Sequence, residues 1–453
     1  MDPHSRNLIL LALGAIAVLV LLITRLKMNA FVALLLAALL LGAGAGADLS
    51  TVLKSFQDGL GTTLGGIAAV IGLGMMLGKL LAESGGSEVL ARRFTAIFGE
   101  RRAEWCIIAL AITIGLTTWF TVGLVLLLPI LVTLTRETKT PFVMLAIPLV
   151  AFLAVMHNLM PPHPGPVVAV DTLKAQTGLV LLWGFAIGLP SAVVGGPLFA
   201  RWLARRISLE APATVAGAGA EHFAGVKPPP FGLTLFSMLL PIGLMLFGTV
   251  AELSLPKEHP ARSLSAFLGH PTIALTISVL FALWSLGRRC GHNGPQLLKF
   301  TEDSIASIGM SLLIVGGGGG FARVLRDAGV ADALGHFAQA MGLQPLVYGW
   351  LVAAFVRVAT GSATVAITTT SGLLAPVVAG LPVNRELLVI SIGAGSLFLS
   401  HLNDGGFWIV KDCFGLSVGQ TLRTWSGVVT ITSIAGLIFT LLANFLWQMF
   451  CHP

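Results

Sequence analysis

The sequence predicts an all-α integral membrane protein built from two inverted-topology repeats, each with a re-entrant helical hairpin and a broken transmembrane helix, about ten full spans plus two hairpins in all. Three observations carry that prediction. The composition is too apolar for a soluble chain, uncharged stretches of membrane-crossing length alternate with basic clusters, and the chain repeats itself at an offset of 244 residues.

Of 453 residues, 55% are hydrophobic, 53 are glycine and only 10% are charged, where a soluble domain carries about 25% charge. Such a chain cannot cover itself with polar surface, which excludes a soluble enzyme, a nucleic-acid-binding protein and a disordered chain. The net charge of +7 lies in short basic clusters between apolar stretches, the positive-inside distribution rather than a polyanion-binding face. No nucleic-acid partner is expected. Cys106, Cys290, Cys413 and Cys451 are scattered, with no C-x-x-C pair, and read as packing residues. The apolar run from Asn7 to Thr24 has the length of a signal peptide. Arg25 and Lys27 follow it where a small-residue cleavage site would stand, so it is read as a retained first helix.

Uncharged stretches run 7–24, 28–47, 59–78, 105–135, 140–170, 175–200, 228–251, 263–287 and 304–322. Beyond them, Ala333 to Asn384 carries a single charge, Arg357, while Leu387 to Asn403 and Thr424 to Pro453 carry none. The stretches 105–135 and 140–170 have an awkward length, since 31 residues of helix extend about 46 Å at 1.5 Å per residue. The first has Thr117, Thr118 and Thr121 near its midpoint and is read as a hairpin with its tip inside the membrane. The second is interrupted by Pro161, Pro162, Pro164 and Pro166, which break a helix. Irregular backbone at that depth must be buried in protein or line a cavity.

The repeat aligns Gly72 to Leu90 with Gly316 to Leu334, pairing Lys79 with Arg323, Glu83 with Asp327, Gly85 with Gly329 and Glu88 with Asp332. At the same offset His157 falls on His401, and the 105–135 hairpin falls on 349–379. The organisation that follows is a first repeat over 1–206, a cytoplasmic linker over 207–230 and a second repeat over 231–453. The loop after the first copy carries Arg92, Arg93, Arg101 and Arg102, whereas its equivalent, 336–346, has no Lys or Arg. The halves are therefore expected to face opposite ways. If each hairpin enters and leaves on one side, Arg25/Lys27, Arg136/Lys139, Arg201/Arg205/Arg206 and Arg288/Arg289/Lys299 all lie inside and both termini outside. This is secondary-transporter architecture, with substrate held near the midplane; a channel is the alternative of another class.

Arg357 is flanked by 24 uncharged residues before it and 27 after it. A charge so placed faces a partner or an aqueous cavity, and its planar fork suits a carboxylate. Thr360, Gly361, Ser362 and Thr364 follow at the second hairpin tip, so the segment reads as an organic-acid site. Snorkelling of Arg357, or a structural pair with Asp327, is the competing reading. His157 and Asn158, before the proline run containing His163, match Ser400, His401, Asn403 and Asp404 before Gly405 and Gly406. These donors and acceptors suit a polyhydroxylated solute, and a desolvated carboxylate or an imidazole can change protonation near neutral pH. Either histidine could instead bond a neighbouring helix. The H-x5-H spacing completes no zinc motif, and no cofactor is expected. Gly74-x-x-x-Gly78 and Gly316 to Gly320 do not fit a phosphate loop and read as close helix packing. Glu83 and Asp327 are expected to pair with Lys79 and Arg323. No activated nucleophile is evident, so the chain is not read as an enzyme.

VMHNLMPPHPGPV (155–167), RVATGSATVAITTTSG (357–372) and SHLNDGGFWIVKDCFGLSVGQTLRTW (400–425) closely resemble the gluconate:proton symporter family, and GKLLAESGG and FARVL fit it too. The resemblance spans nearly the whole chain. It implies a bacterial inner-membrane permease, a hairpin-bearing elevator fold of the ion transporter superfamily, often dimeric, importing gluconate or a related small hydroxylated acid with protons. Members also handle idonate, fructuronate and D-serine. On this reading the substrate meets Arg357, Thr360, Gly361, Ser362 and Thr364, with Thr117, Thr118, Thr121, His157, Asn158 and Asn403 around it, while Asp404, His401 and His157 couple protons. There are departures: Thr121 stands where the family pattern F-F-[ED]-V has an acid, Asn158 where Gly is common and Gly405 where Ser is common. If the missing acid carries protons in relatives, the duty shifts here to Asp404.

Overall fold

The structure, a computed structural model, describes residues 3–99, 102–207, 209–212, 227–256, 258–306, 309–330, 333, 344–379, 381–402 and 404–451. Most of the linker 207–230, most of the 336–346 loop, and Asn403 therefore lie outside the described residues. The first half runs through α1 (Pro3–Thr24), α2 (Ala30–Gly44), α3 (Leu49–Glu83), α4 (Gly86–Phe98), α5 (Ala103–Gly115), α6 (Phe120–Thr138), α7 (Phe142–Leu159), α8 (Pro164–Leu173) and α9 (Thr177–Ala204). The second runs through α10 (Phe231–Ser254), α11 (Pro260–Gly269), α12 (Pro271–Cys290), α13 (Gly294–Ala306), α14 (Gly309–Asp327), α15 (Pro345–Thr360), α16 (Ala363–Val378), α17 (Arg385–Gly395), α18 (Gly405–Cys413) and α19 (Val418–Met449). No strand occurs among the described residues.

Six of the described spans are long and apolar enough to cross a membrane unaided, or eight when the bent α3 and α6 are each taken as one span. The chain is thus an all-helical, multi-pass membrane protein. Large apolar side chains such as Leu10, Phe247, Leu253, Ile438 and Phe445 are exposed, which is tolerable only where lipid is the solvent.

Helix limits follow local chemistry. Asn29 caps α2 by accepting from the Phe31 amide, Asp48 caps α3 by accepting from the amides of Ser50 and Thr51, and prolines open α8, α12 and α15, where a missing N–H costs nothing. The break after α7 holds Pro161 and Pro162, whereas Pro164 and Pro166, expected from the sequence to interrupt the helix as well, fall in the first turn of α8, where a missing N–H is tolerated. All of α7 except Met144 and His157 is buried, making it the centre of the main core.

Several limits recur at the 244-residue offset. α3 covers 49–83 and its counterpart, α13 with α14, covers 294–327. The α5–α6 break contains Thr117 and Thr118; the α15–α16 break is Gly361 and Ser362. Gly85 and Gly329 both adopt the left-handed conformation, with φ of 72° and 76°, which side chains other than glycine rarely accept. The breaks after α7 and α17 differ, because α17 ends at Gly395 and the irregular stretch before α18 is longer.

The Gly316–Gly320 run packs closely, as its composition predicts. A Cβ on Gly319 would lie 1.9 Å from Thr63 Oγ1 and one on Gly59 would lie 2.6 Å from the Gly319 carbonyl oxygen, so α3 and α14 meet almost at backbone distance. The other glycine pair divides: Gly78 approaches the Thr117 carbonyl, whereas Gly74 has open space. Lys79–Glu83 (2.7 Å) and Arg323–Asp327 (3.0 Å) form the expected ion pairs. Arg357 does not pair with Asp327.

Candidate functional site

The site begins with the end of α15. Gly361 takes a left-handed φ of 73° and its N–H closes the helix on the Arg357 carbonyl; Ser362 then caps α16 by accepting from the Val365 amide. This turn brings the Gly361 carbonyl back onto Arg357, whose Nη1 donates to it. Nη2 of Arg357 donates to Asp404 Oδ2. The two charged groups are 5% and 9% exposed, so each requires the other: an unpaired charge in such surroundings is costly.

Asp404 is the cap of α18, accepting the Gly406 amide on Oδ1 at 2.8 Å. Its Oδ2 also accepts the Ser400 hydroxyl. Ser400 in turn accepts from the Trp425 indole N–H at 2.7 Å, and the Trp425 ring lies 4.8 Å from that of Phe120. One chain of contacts therefore joins the end of α15, the start of α18, the first part of α19 and the start of α6. Arg357 Nε has no partner among the described residues, which leaves a buried N–H able to donate.

A cavity of about 330 Å³ opens on this pair, within the range of small-molecule sites. Thr121, His157, Asn158, Thr360, Ser362 and Thr364 supply its neutral polar lining, and Phe120, Leu397, Trp425 and Val429 much of its apolar wall. Asn158 is oriented by donating to the Ala154 carbonyl at 2.7 Å and accepting from Ser396 at 3.3 Å. A guanidinium, a carboxylate, hydroxyls, an amide and an imidazole around one cavity can bind a small anion carrying hydroxyl groups.

Most of the residues expected from the sequence converge here: Arg357, Thr360, Gly361, Ser362, Thr364, Thr121, His157, Asn158 and Asp404 all line the cavity. Three departures are physical. Thr117 and Thr118 line a separate cavity beside α3, because their hydroxyls turn back onto the Ile114 carbonyl at the end of α5. His401 is not at the cavity; its Nε2 meets the Val358 carbonyl at 3.1 Å, against the last turn of α15. Arg357 and Asp404, read from the sequence as separate agents, form one pair. His163 bonds the Gly115 carbonyl at 2.7 Å and so braces the α5–α6 break. Phe120, Leu397 and Trp425 were not singled out by sequence reasoning, and Ser400, read there as one of a set of solute donors and acceptors, instead bridges Asp404 and Trp425; Trp425 lay inside a recognised motif, while Phe120 and Leu397 carry no polar signal. No group of three or more His, Cys, Asp or Glu residues able to hold a metal occurs among the described residues.

Helical spans enclosing a polar cavity with a buried ion pair define a multi-pass membrane protein with a solute-sized site. The profile described as "GntP family permease" matches residues 6–446. The chain is 42% identical to the gluconate permease of Zymomonas mobilis, covering 97% of this chain and 98% of the relative. It is 41% identical to the gluconate permease of Pseudomonas aeruginosa, with coverage of 97% and 98%, and 40% identical to the Gnt-II system L-idonate transporter of Escherichia coli, with coverage of 96% and 99%. Among solved structures, the fold is similar to the Alcanivorax borkumensis YdaH transporter, with a TM-score of 0.62, 15% identity and coverage of 93% and 98%. The chain belongs to the GntP permease family, whose members are membrane transport proteins and not enzymes.

Proposed function

We propose that the protein is a secondary active transporter importing gluconate or a related small hydroxylated acid together with protons, by elevator-type alternating access, across the inner membrane of a bacterium. In this reading both termini are periplasmic and the chain works as a homodimer. The observation that carries it is the buried Arg357–Asp404 pair at a cavity lined by hydroxyl and amide groups. The substrate class follows relatives named for gluconate and L-idonate. The inverted repeats and hairpins are supported by the recurring helix breaks and by the matched glycines at 85 and 329.

The pair gives proton coupling a physical basis. With the site empty, Asp404 neutralises Arg357. A substrate carboxylate arriving there would place two anions on one guanidinium, which like-charge repulsion disfavours. A proton on Asp404 removes that conflict: the guanidinium turns its fork to the substrate, and the Asp404 hydroxyl becomes a donor. The proton and the anion then move together. Both the empty site and the doubly loaded site are electrically neutral, so neither carries a bare charge through a low-dielectric interior. Substrate without a proton leaves a net negative site, and a proton without substrate leaves a net positive one. His157 contributes donors at the cavity, and His401 holds the α15 end that carries Arg357.

Uptake of labelled gluconate into proteoliposomes under separately imposed proton and sodium gradients tests this. Saturable accumulation is expected with acid outside, and competition by uronates and D-serine ranks substrates. Accumulation driven by sodium and indifferent to the proton gradient would overturn the coupling scheme.

A further inference from the structure

Two further cavities flank the central one, and they are related by the internal repeat. Met75, Gly78, Lys79, Ala82 and Asp303 line a cavity of about 240 Å³. Shifting each by 244 residues gives Gly319, Ala322, Arg323, Arg326 and Gly59, all of which line another cavity, of about 160 Å³. Five positions in register mean that the same crossing of α3 with its counterpart helices is hollowed twice. Each hollow also adjoins the central site along the chain: Thr117, Thr118 and Trp119 line the first while the next residues, Phe120 and Thr121, line the centre. On the other side Thr364 lines the centre, and Thr368, one turn along α16 and bonded to the Thr364 carbonyl at 2.8 Å, lines the second hollow.

Their charges differ. The first hollow is lined by one charge of each sign, Lys79 and Asp303, with Lys79 already engaged by Glu83. Lys174, Arg323 and Arg326 outnumber Asp171 in the second. Arg323 is engaged by Asp327 and Lys174 by Asp171, but Arg326 has no ion pair among the described residues and is exposed. Thr62, Thr63, Thr172 and Thr368 line the same hollow; the hydroxyls of Thr62 and Thr368 donate to the Asp58 and Thr364 carbonyls, so the cations supply its charge-bearing donors.

We infer that these hollows are the two vestibules of the transport path, opening on opposite faces of the membrane, and that the Arg326 vestibule is a weak anion site that collects the substrate carboxylate on the periplasmic side. The inference rests on the proposed import of an organic acid and on the orientation in which Arg92 and Arg93 lie inside. That orientation puts Lys79 near the cytoplasm and its counterpart Arg323 near the periplasm. A cationic antechamber raises the local concentration of an anion and its rate of arrival, in a manner that falls with ionic strength. The balanced vestibule on the other face offers no such hold, which favours release. Charge placed this way alters access and leaves the accumulation ratio to the coupling step.

Initial rates in right-side-out and inside-out membrane vesicles test the assignment. Arg326→Gln should raise the apparent KM at the periplasmic face by about 3- to 10-fold, within the range of electrostatic steering. Maximal rate, and KM at the cytoplasmic face, should be unchanged. The variant should lose most of the salt dependence of wild-type uptake, and Arg326→Lys should restore it. An unaltered KM and salt dependence, or an equal change at both faces, overturns the vestibule. Sidedness has its own readout: in a background lacking the native cysteines, a membrane-impermeant thiol reagent should modify Thr62→Cys from the periplasmic side and Ala82→Cys from the cytoplasmic side. Modification of both from one side overturns the two-faced path. Wild-type vesicles that carry no organic acid would overturn the transport reading itself, whereas normal wild-type uptake with an unaffected Arg326→Gln variant removes the vestibule alone.

Discussion

The two helix breaks occupy equivalent places in the repeat and carry opposite chemistry. In the second half, Arg357 sits just before the break and Asp404 meets it from the start of α18. Subtracting 244 puts Thr113 and Met160 at those two places. Thr113 turns its hydroxyl onto the Ala109 carbonyl, and Met160 is fully buried in the core. Helix breaks that recur at the 244-residue offset therefore hold a charge pair that does not recur. In the proposed reading the second half takes the charged end of a substrate, and the first half, through Thr121, His157 and Asn158, its neutral hydroxyls.

Removing the charge that only the second half has should produce the largest effect. Arg357→Ala strips the carboxylate site and leaves Asp404 buried without a counter-charge; losing one partner of such a pair costs roughly 2–5 kcal/mol, so gluconate affinity should fall by about 30-fold or more. Binding of wild-type affinity in a fluorescence or calorimetric titration would place the carboxylate elsewhere. Asp404→Asn should separate coupling from binding. Substrate exchange should survive and lose its pH dependence, while uphill accumulation disappears, because an empty site with an uncompensated guanidinium cannot return. Accumulation at the wild-type ratio under an acid-outside gradient would contradict the pair scheme.

Adding charge to the neutral half sharpens the same contrast. Thr121→Glu puts a second carboxylate at the cavity that holds Arg357 and should raise the KM for gluconate at neutral pH by about 10-fold, the scale of one like-charge contact, with recovery as the pH falls. A KM that is insensitive to this variant would show that Thr121 does not share a site with the substrate anion. Smaller still, Ser400→Ala removes one hydrogen bond to Asp404, worth about 1 kcal/mol, and should shift the pH profile of uptake with little change in maximal rate. The frame itself can be probed by Gly85→Ala and Gly329→Ala. Both positions are left-handed, so each should lower thermal stability by a similar roughly 1–2 kcal/mol, and a large effect at one with none at the other would break the equivalence of the halves.

Charge spacing made much of the frame legible, because a few charged residues in a long apolar chain can stand only at borders or at sites. Pro161 and Pro162 marked one break by their missing amides, and the matched motifs at 72–90 and 316–334 pointed to an internal repeat. Arg357 was visible for the same reason: isolation in an apolar run. Its partner was not. Asp404 lies 47 positions away, and only the fold brings it to α15. The directions of Thr117, Thr118 and His401 were equally hidden, since a hydroxyl or imidazole near a break can turn to a backbone carbonyl as readily as to a cavity. The resemblance of the two flanking hollows was invisible until both were seen to use the same register.

Asp404 also begins a helix. Its Oδ1 holds the Gly406 amide at the first turn of α18, so a proton that reaches this carboxyl acts on two objects at once. It frees the guanidinium and weakens an N-terminal cap that favours a negative side chain. In the proposed coupling, loading would thereby be reported to the backbone through a joint of a single residue, with α18 as the lever on which that message arrives.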